Sequence, residues 1–348
     1  MRVLVAGLGS IGQRHVRNLR ALRGARVEIL AYRVRRRSLE LTDGLEVVDG
    51  GDVERTYGVD VFDDLADALA TQPDITFVCN PTAMHLPVAM AAACAGSHLF
   101  IEKPLSDRWN GIEDLAREVE RRRLIAVMGF QMRFHPCLRR LGELLGAGAI
   151  GDIVAVRIQA GEYLPHWHPY EDYRESYAAR RDLGGGVVLT LIHELDAVLA
   201  LVGLPRRVWA IGGRSGRLEI DVEDSASMLF ECVKKDRTIP VHVQLDFLQR
   251  PPCRNYEVIG DRGKVTVDFV GSELMWFDGD GRLAEVFIPE NRARNVLFLE
   301  ELKHVLACVE GTEQPLVDLR DGARSLRMAL AALESIASTQ VVSLDVIA

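Results

Sequence analysis

Three glycines at positions 7, 9 and 12, in Gly7-Leu8-Gly9-Ser10-Ile11-Gly12, have the spacing that holds a pyrophosphate. In G-x-G-x-x-G the first glycine makes a tight turn. The second lets backbone N–H groups approach the phosphates, and the third lets a helix pack close to a strand. A helix that starts at about Ile11 adds unpaired N–H groups and the positive end of its dipole. The motif is informative only between a strand and a helix. Here a β-branched run at 2–6 precedes it and an amphipathic stretch at 11–22 follows. About twenty residues further on, an acidic side chain would hold a ribose 2′-hydroxyl, whereas arginine favours a 2′-phosphate. This chain has Tyr32 and Arg33 there, with Arg35, Arg36 and Arg37 behind, so NADP is the expected cofactor and NAD the alternative.

Two further groups could act on a bound molecule. Lys103, in Ile101-Glu102-Lys103-Pro104, follows an apolar run at 99–101. Open parallel sheets bind ligands beyond the carboxyl ends of their strands, which would put Lys103 in the crevice. Pro104 restricts it to an extended backbone. By itself, a lysine at a strand end is as readily a surface charge. The stretch 187–202 is apolar nearly all round apart from Thr190, His193, Glu194 and Asp196, which marks a buried helix. Polar groups buried there cost several kcal/mol unless paired (order of magnitude). Thr190 and His193, three apart, share a face, as do His193 and Asp196. An isolated histidine in such a helix could equally be a satisfied core residue.

The elements that must position these groups fall into two sets. Strands are expected at 2–6, 27–31, 75–79, 99–101 and 125–128, with helices between them at 11–22, 65–70, 87–95 and 109–122. That alternation gives a parallel sheet covered on both faces. After Gly129 the rhythm changes to a helix at 136–145, a strand at 152–163 and the helix at 187–202. Strand after strand then runs from 208 to 288, and helices at 295–309 and 321–338 close the chain. The expectation is a Rossmann dinucleotide-binding domain over 1–128. An α+β substrate-binding and oligomerisation domain follows over 129–348, with an open, mostly antiparallel sheet flanked by helices.

Between its strand and its buried helix the second half concentrates rings, including Tyr163, Trp167 and Tyr173. Aromatic faces beside hydrogen-bonding groups suit a polyhydroxylated ring, although such a loop can equally pack its own rings. Arg133, Arg174, Arg180 and Arg181 could hold a carboxylate or phosphate. His166-x-His168 lacks a third ligand at useful spacing, so no metal is expected.

These motifs together resemble the glucose-fructose oxidoreductase / inositol dehydrogenase / rhizopine catabolism family along essentially the whole chain. They are the glycine loop, Cys79-Asn80-Pro81-Thr82 with His85, Glu102-Lys103-Pro104, Arg133-Phe134-His135-Pro136, and Gly184-Gly185-Gly186 before His193 and Asp196. The resemblance implies NAD(P)-dependent oxidation or reduction at a hydroxyl or carbonyl carbon of a sugar, sugar acid or cyclitol. It implies that Asn80, Pro81, His85, Glu102, Lys103 and Pro104 face the cofactor, with Lys103 beside the nicotinamide, and it allows a cis Lys103–Pro104 bond. Moving a hydride at a C–OH carbon requires a proton to move on the oxygen. His193 is therefore expected to be the acid/base, and Lys103 to polarise the reacting oxygen. Arg133, Tyr163, Trp167, Tyr173 and Thr190 would line the substrate. Many members carry an aspartate four residues before the histidine; Leu189 stands there, so no Asp–Lys–His relay is expected. Two other readings of the scaffold are an NAD-dependent glycosidase and a non-catalytic dinucleotide-binding regulator.

Bulk properties narrow the classes. A length of 348 residues favours two domains. A net charge of -8 argues against nucleic-acid or anionic-membrane partners, which need basic surfaces. Six cysteines without a CxxC pair read as buried thiols of a reducing cytoplasm. The opening residues lack signal-peptide features, and no apolar run reaches the roughly 20 residues of a membrane span. A sheet face left uncovered would be buried between copies, giving a homodimer or homotetramer.

Overall fold

Six short strands, β1 (Arg2–Ala6), β2 (Glu28–Tyr32), β3 (Val59–Phe62), β4 (Ile75–Val78), β5 (His98–Glu102) and β6 (Ala126–Gly129), form one parallel sheet. Their order is β3-β2-β1-β4-β5-β6. The central strands are mostly apolar because a parallel sheet covered by helices leaves neither strand face in water; every residue of β4, Thr76 included, is buried. The crossovers run through α1 (Ser10–Arg23), α2 (Val53–Tyr57), α3 (Leu65–Ala70), α4 (His85–Cys94) and α5 (Ile112–Arg122). Strand order reverses between β1 and β4, so the loops after these two strands flank the crevice where such sheets bind ligands. The computed structural model describes residues 1–34 and 39–344, so Arg35, Arg36 and Arg37 lie outside the described residues.

The second half supplies α6 (Pro136–Gly146), β7 (Ile153–Gly161), α7 (Val187–Thr190), α8 (His193–Val202) and strands β8 (Arg207–Gly213), β9 (Ser225–Lys234) and β10 (Arg237–Asp246). It continues with β11 (Cys253–Gly260), β12 (Gly263–Asp268), β13 (Glu273–Phe277), β14 (Leu283–Phe287), α9 (Asn295–Val309), α10 (Leu319–Ser338) and β15 (Val342–Ser343). Nine of its strands pair in the order β14-β13-β12-β11-β7-β10-β9-β8-β15. Only β7 and β10 run parallel; the other neighbours are antiparallel. Buried and open positions alternate along β9 and β10, as one covered face and one open face require. Trp209, Ile211 and Leu229 stay exposed.

Three features depart from the sequence-based expectation. Strand β3 and helix α2 were not anticipated, because each is short and carries polar residues; α2 is fixed by its cap, the Asp52 carboxylate accepting from the Glu54 and Arg55 N–H groups. The single helix expected at 187–202 is two helices, broken at Leu191 and Ile192. Cys94 is exposed and Cys253 half-buried, whereas the other thiols are buried. Helix α9, late in the chain, joins the first core: Leu302, Val305, Leu306 and Cys308 pack with Val3, Val5, Val16 and Phe77. Among the described residues no single helix is long and apolar enough to cross a membrane.

Candidate active site

The glycine loop is shaped by contact rather than by side chains. The Gly7 N–H donates to the Tyr32 carbonyl at 2.9 Å, tying the ends of β1 and β2. A Cβ on Gly12 would drive into the Gly7 carbonyl oxygen, while one on Gly9 would meet nothing within 4 Å. The loop is thus closed on the protein side and open where Gly9, Ser10 and Ile11 begin α1. Across the crevice the Asn80 side-chain oxygen is buried without a hydrogen-bond partner. An open backbone cradle and an orphaned polar atom fit a dinucleotide. Gly12→Ala is expected to force the loop apart at about 1–3 kcal/mol, so that dinucleotide affinity falls roughly 10- to 100-fold. Fluorescence titration with reduced dinucleotide measures this; unchanged affinity would contradict the cradle.

His85 holds the next loops in place. Its ring nitrogens lie 2.7 Å from the Pro104 and Asn80 carbonyl oxygens, so one imidazole spans the segments after β4 and β5. Burial lowers its pKa. Pro81 opens the turn between them, and Lys103–Pro104 is cis. Glu102 faces α1, its carboxylate 2.8 Å from His15 Nε2, rather than the open crevice.

The break between α7 and α8 joins Lys103 to His193. Glu194 N–H bonds back to Leu191 instead of Thr190, so the Thr190 carbonyl is free at the end of α7. Lys103 Nζ donates to that oxygen at 2.7 Å, and His193 begins α8. Because the helix is interrupted, Thr190 and His193 are related through the break and not along one face. Burial first, with Arg254 and Arg294 adding repulsion, lowers the Lys103 pKa to about 8. Burial and the Lys103 charge push His193 well below its ordinary range. Its Nδ1 is buried without a partner, as is Thr190 Oγ1. The Phe130 ring stands edge-on to the imidazole, with centroids 5.6 Å apart. Leu189 is buried in α7. Ahead of the break, Glu223 accepts from the Val188 N–H at 3.1 Å. Gly186, with φ of +105°, lies so close to that carboxylate that an added side chain would have to push Glu223 aside.

Two ion pairs buttress this floor. Arg133 grips Asp196 with Nε–Oδ2 at 2.6 Å and Nη2–Oδ1 at 2.9 Å. The Arg133 guanidinium is therefore committed within the protein, unlike the substrate contact expected of it. Arg254 Nε lies 2.8 Å from Glu194 Oε1. Arg254 was missed from sequence, although strand alternation points to it: it sits two residues before the buried Tyr256 on β11, on the same inward face.

The aromatic loop does not converge as expected. Tyr163 stacks under Arg250, whose guanidinium carbon is 4.0 Å from the ring centroid. Trp167 meets Phe247 edge-on at 5.3 Å, and the Tyr173 hydroxyl accepts from the Glu219 N–H at 3.2 Å. None of the three touches Lys103 or His193 in the hydrogen bonds and ring contacts of the described residues. Tyr170, not singled out from sequence, is the ring whose hydroxyl lies close enough to Ser10 of the glycine loop to be influenced by it. Arg174 pairs with Asp172 and Glu219, Arg180 with Asp182, and Arg181 bonds to the Asp221 carbonyl. Arg33 pairs with Glu54.

Comparison with known proteins places this geometry in context. Residues 1–130 match the model of the oxidoreductase family with NAD-binding Rossmann fold, and 138–266 match the GFO/IDH/MocA C-terminal domain. A myo-inositol 2-dehydrogenase of Thermotoga maritima is 27% identical over 99% of both chains. Inositol 2-dehydrogenase 3 of Saccharopolyspora erythraea is 31% identical over 76% of this chain and 72% of its own length. In fold, the chain is similar to the WlbA dehydrogenase from Bordetella pertussis in complex with NADH and UDP-GlcNAcA. That structure has a TM-score of 0.80 at 21% identity, over 100% of this chain and 99% of that one.

Proposed function

Because the chain belongs to the Gfo/Idh/MocA oxidoreductase family, we propose that it moves a hydride between a nicotinamide and a hydroxyl or carbonyl carbon of a sugar, sugar acid or cyclitol. Lys103 and His193 act at the reacting oxygen. The observation that carries this reading is the Lys103 Nζ–Thr190 oxygen bond at the helix break, because it fixes an ammonium beside a buried imidazole. Relatives named as inositol 2-dehydrogenases support a polyhydroxylated substrate.

When bound, the nicotinamide supplies the hydride acceptor or donor. The glycine loop and the α1 N-terminus hold the pyrophosphate, and Asn80 and the His85-tethered loops shape the inner end of the crevice. With its pKa well below the ordinary range, His193 is neutral at pH 7 and can accept the hydroxyl proton during oxidation. Lys103, at about 8, is mostly protonated at pH 7 and stabilises negative charge on the same oxygen. Residues 1–128 serve the cofactor and 129–348 the substrate, except that α9 completes the first core. Exposed Trp209, Ile211 and Leu229 on the open sheet face support a homodimer or homotetramer.

Tyr32 at the end of β2, in place of an acid, supports NADP over NAD. Arg33 is occupied by Glu54, so 2′-phosphate recognition rests on arginines 35–37. NADPH is expected to bind at least about tenfold more tightly than NADH, and a preference for NADH would overturn the assignment. A panel of sugars, sugar acids and cyclitols, assayed at the nicotinamide absorbance band, tests the function. Stoichiometric reduction or oxidation supports the dehydrogenase. Turnover without net absorbance change would mark the glycosidase instead, and no turnover at all would favour the regulator.

A further inference from the structure

A cavity of ≈ 300 Å³ opens beside the helix break, with Leu191 in its wall. Gly161 and Glu162, where β7 ends, form another part of the lining. Arg254 and the segment leading into α9, with Arg292 and Arg294, complete it. Arg254 is engaged by Glu194. Arg292 and Arg294 are exposed and make no ion pair or side-chain hydrogen bond with the described residues. Elsewhere arginines are satisfied internally: Arg133, Arg140, Arg174, Arg180 and Arg207 each face a carboxylate.

The cavity is therefore more cationic than the hydride chemistry requires. Arg254 and Arg294 both repel positive charge on Lys103 and His193, which places them within electrostatic reach of the reacting groups. They also repel each other, although Glu162 attracts Arg294 more strongly than Arg254 repels it, so the surplus positive charge of the lining rests on Arg292 and Arg294 against the single Glu162 carboxylate. Cavities of about 300–1,000 Å³ accommodate small organic ligands. A guanidinium fork matches a carboxylate or phosphate geometrically, and such charge-assisted bonds are roughly twice as strong as neutral ones.

We propose that the substrate carries an anionic oxygen group, a carboxylate or a phosphate, held by Arg292 and Arg294 while its hydroxyl carbon lies at Lys103 and His193. This deepens, and rests on, the reading of the site as one for sugar-like alcohols. It also moves the anion site away from Arg133, Arg174, Arg180 and Arg181, whose guanidinium groups are already engaged.

The test is calorimetric titration of the full-length protein, saturated with whichever reduced dinucleotide binds more tightly. The ligands are D-glucuronate, D-glucose 6-phosphate and D-glucose. At least one anion should bind about 30-fold or more tightly than glucose, and which one does separates a carboxylate from a phosphate. That margin should shrink between 0.05 and 0.5 M NaCl, at roughly the ionic strengths that screen exposed charges. It should disappear in the Arg292→Gln/Arg294→Gln double variant and persist in part in Arg294→Lys. Glucose binding as tightly as both anions, no binding by either anion, or a margin unaffected by salt and by the double substitution would each overturn the proposal. Arginine-dependent anion binding without nicotinamide turnover on any alcohol would leave this inference standing and remove the dehydrogenase reading. Turnover of neutral sugars with no anion binding would do the reverse.

Discussion

Replacing Lys103 with methionine is expected to lower kcat by about 10²–10³-fold, the usual effect of removing one donor from a developing oxyanion. The side chain keeps its length and apolar stem but loses the charge that the Thr190 carbonyl orients. His193→Ala removes the proton-transfer group and should cost about 10²–10⁴-fold. Dinucleotide affinity should persist in both variants. The same lysine sets the pH response. Its pKa lies at about 8, below the ordinary lysine value, so the ammonium is present below pH 8 and is lost as pH rises through that value. Carbonyl reduction should therefore decline above pH 8, whereas His193, already neutral across this range, adds no acid limb near neutrality. Lys103→Arg keeps the charge at every accessible pH and should remove the alkaline limb, even if its bulk lowers the plateau. Steady-state rates from pH 6 to 9.5 check this, and near-normal kcat in both Lys103→Met and His193→Ala would refute the assignment.

Arg133→Met should instead act on stability, by about 3–5 kcal/mol, because it strands a buried carboxylate. Asp196 is 2% exposed. Burial already pushes its carboxyl pKa up against the pull of Arg133. Without the guanidinium it must either take a proton or remain an uncompensated charge. The double variant Arg133→Met/Asp196→Leu removes both charges and should recover most of the loss, since a buried ion pair replaced by apolar groups is often close to neutral. Denaturant unfolding of the single and double variants provides the measurement. A stable single variant with a raised KM would restore the substrate role for Arg133 that its position in the sequence suggested.

The contrast between Lys103 and Arg133 shows how far sequence reasoning reaches. Glycine spacing, the strand before it and the lysine at a later strand end are local signals, and the structure brings them to one crevice. Arg133 and Asp196 are 63 residues apart, so their pairing depends on tertiary packing. The break at Leu191 was hidden for a related reason: the run 187–202 is apolar nearly all round on both sides of it, and hydrophobic periodicity does not register one interrupted hydrogen bond. Strand β3 escaped because four residues with an internal Asp60 give little alternation to read. Arg254 was legible in principle through its register with Tyr256. Arg292 and Arg294 were not, since the segment before α9 has no period to betray which way it faces.

Helix α9 also has a temporal consequence. The first parallel sheet is built from residues 2–129, yet its apolar seal comes from Leu302, Val305 and Leu306. During synthesis the nucleotide-binding sheet must wait for most of the second half, up to α9, before that face is closed. At about 5–20 residues per second, this leaves the nascent sheet open for roughly ten to forty seconds. For that interval it is an apolar surface available to chaperones or to neighbouring chains. The two halves are therefore not independent modules: one completes the other only once α9 has been made.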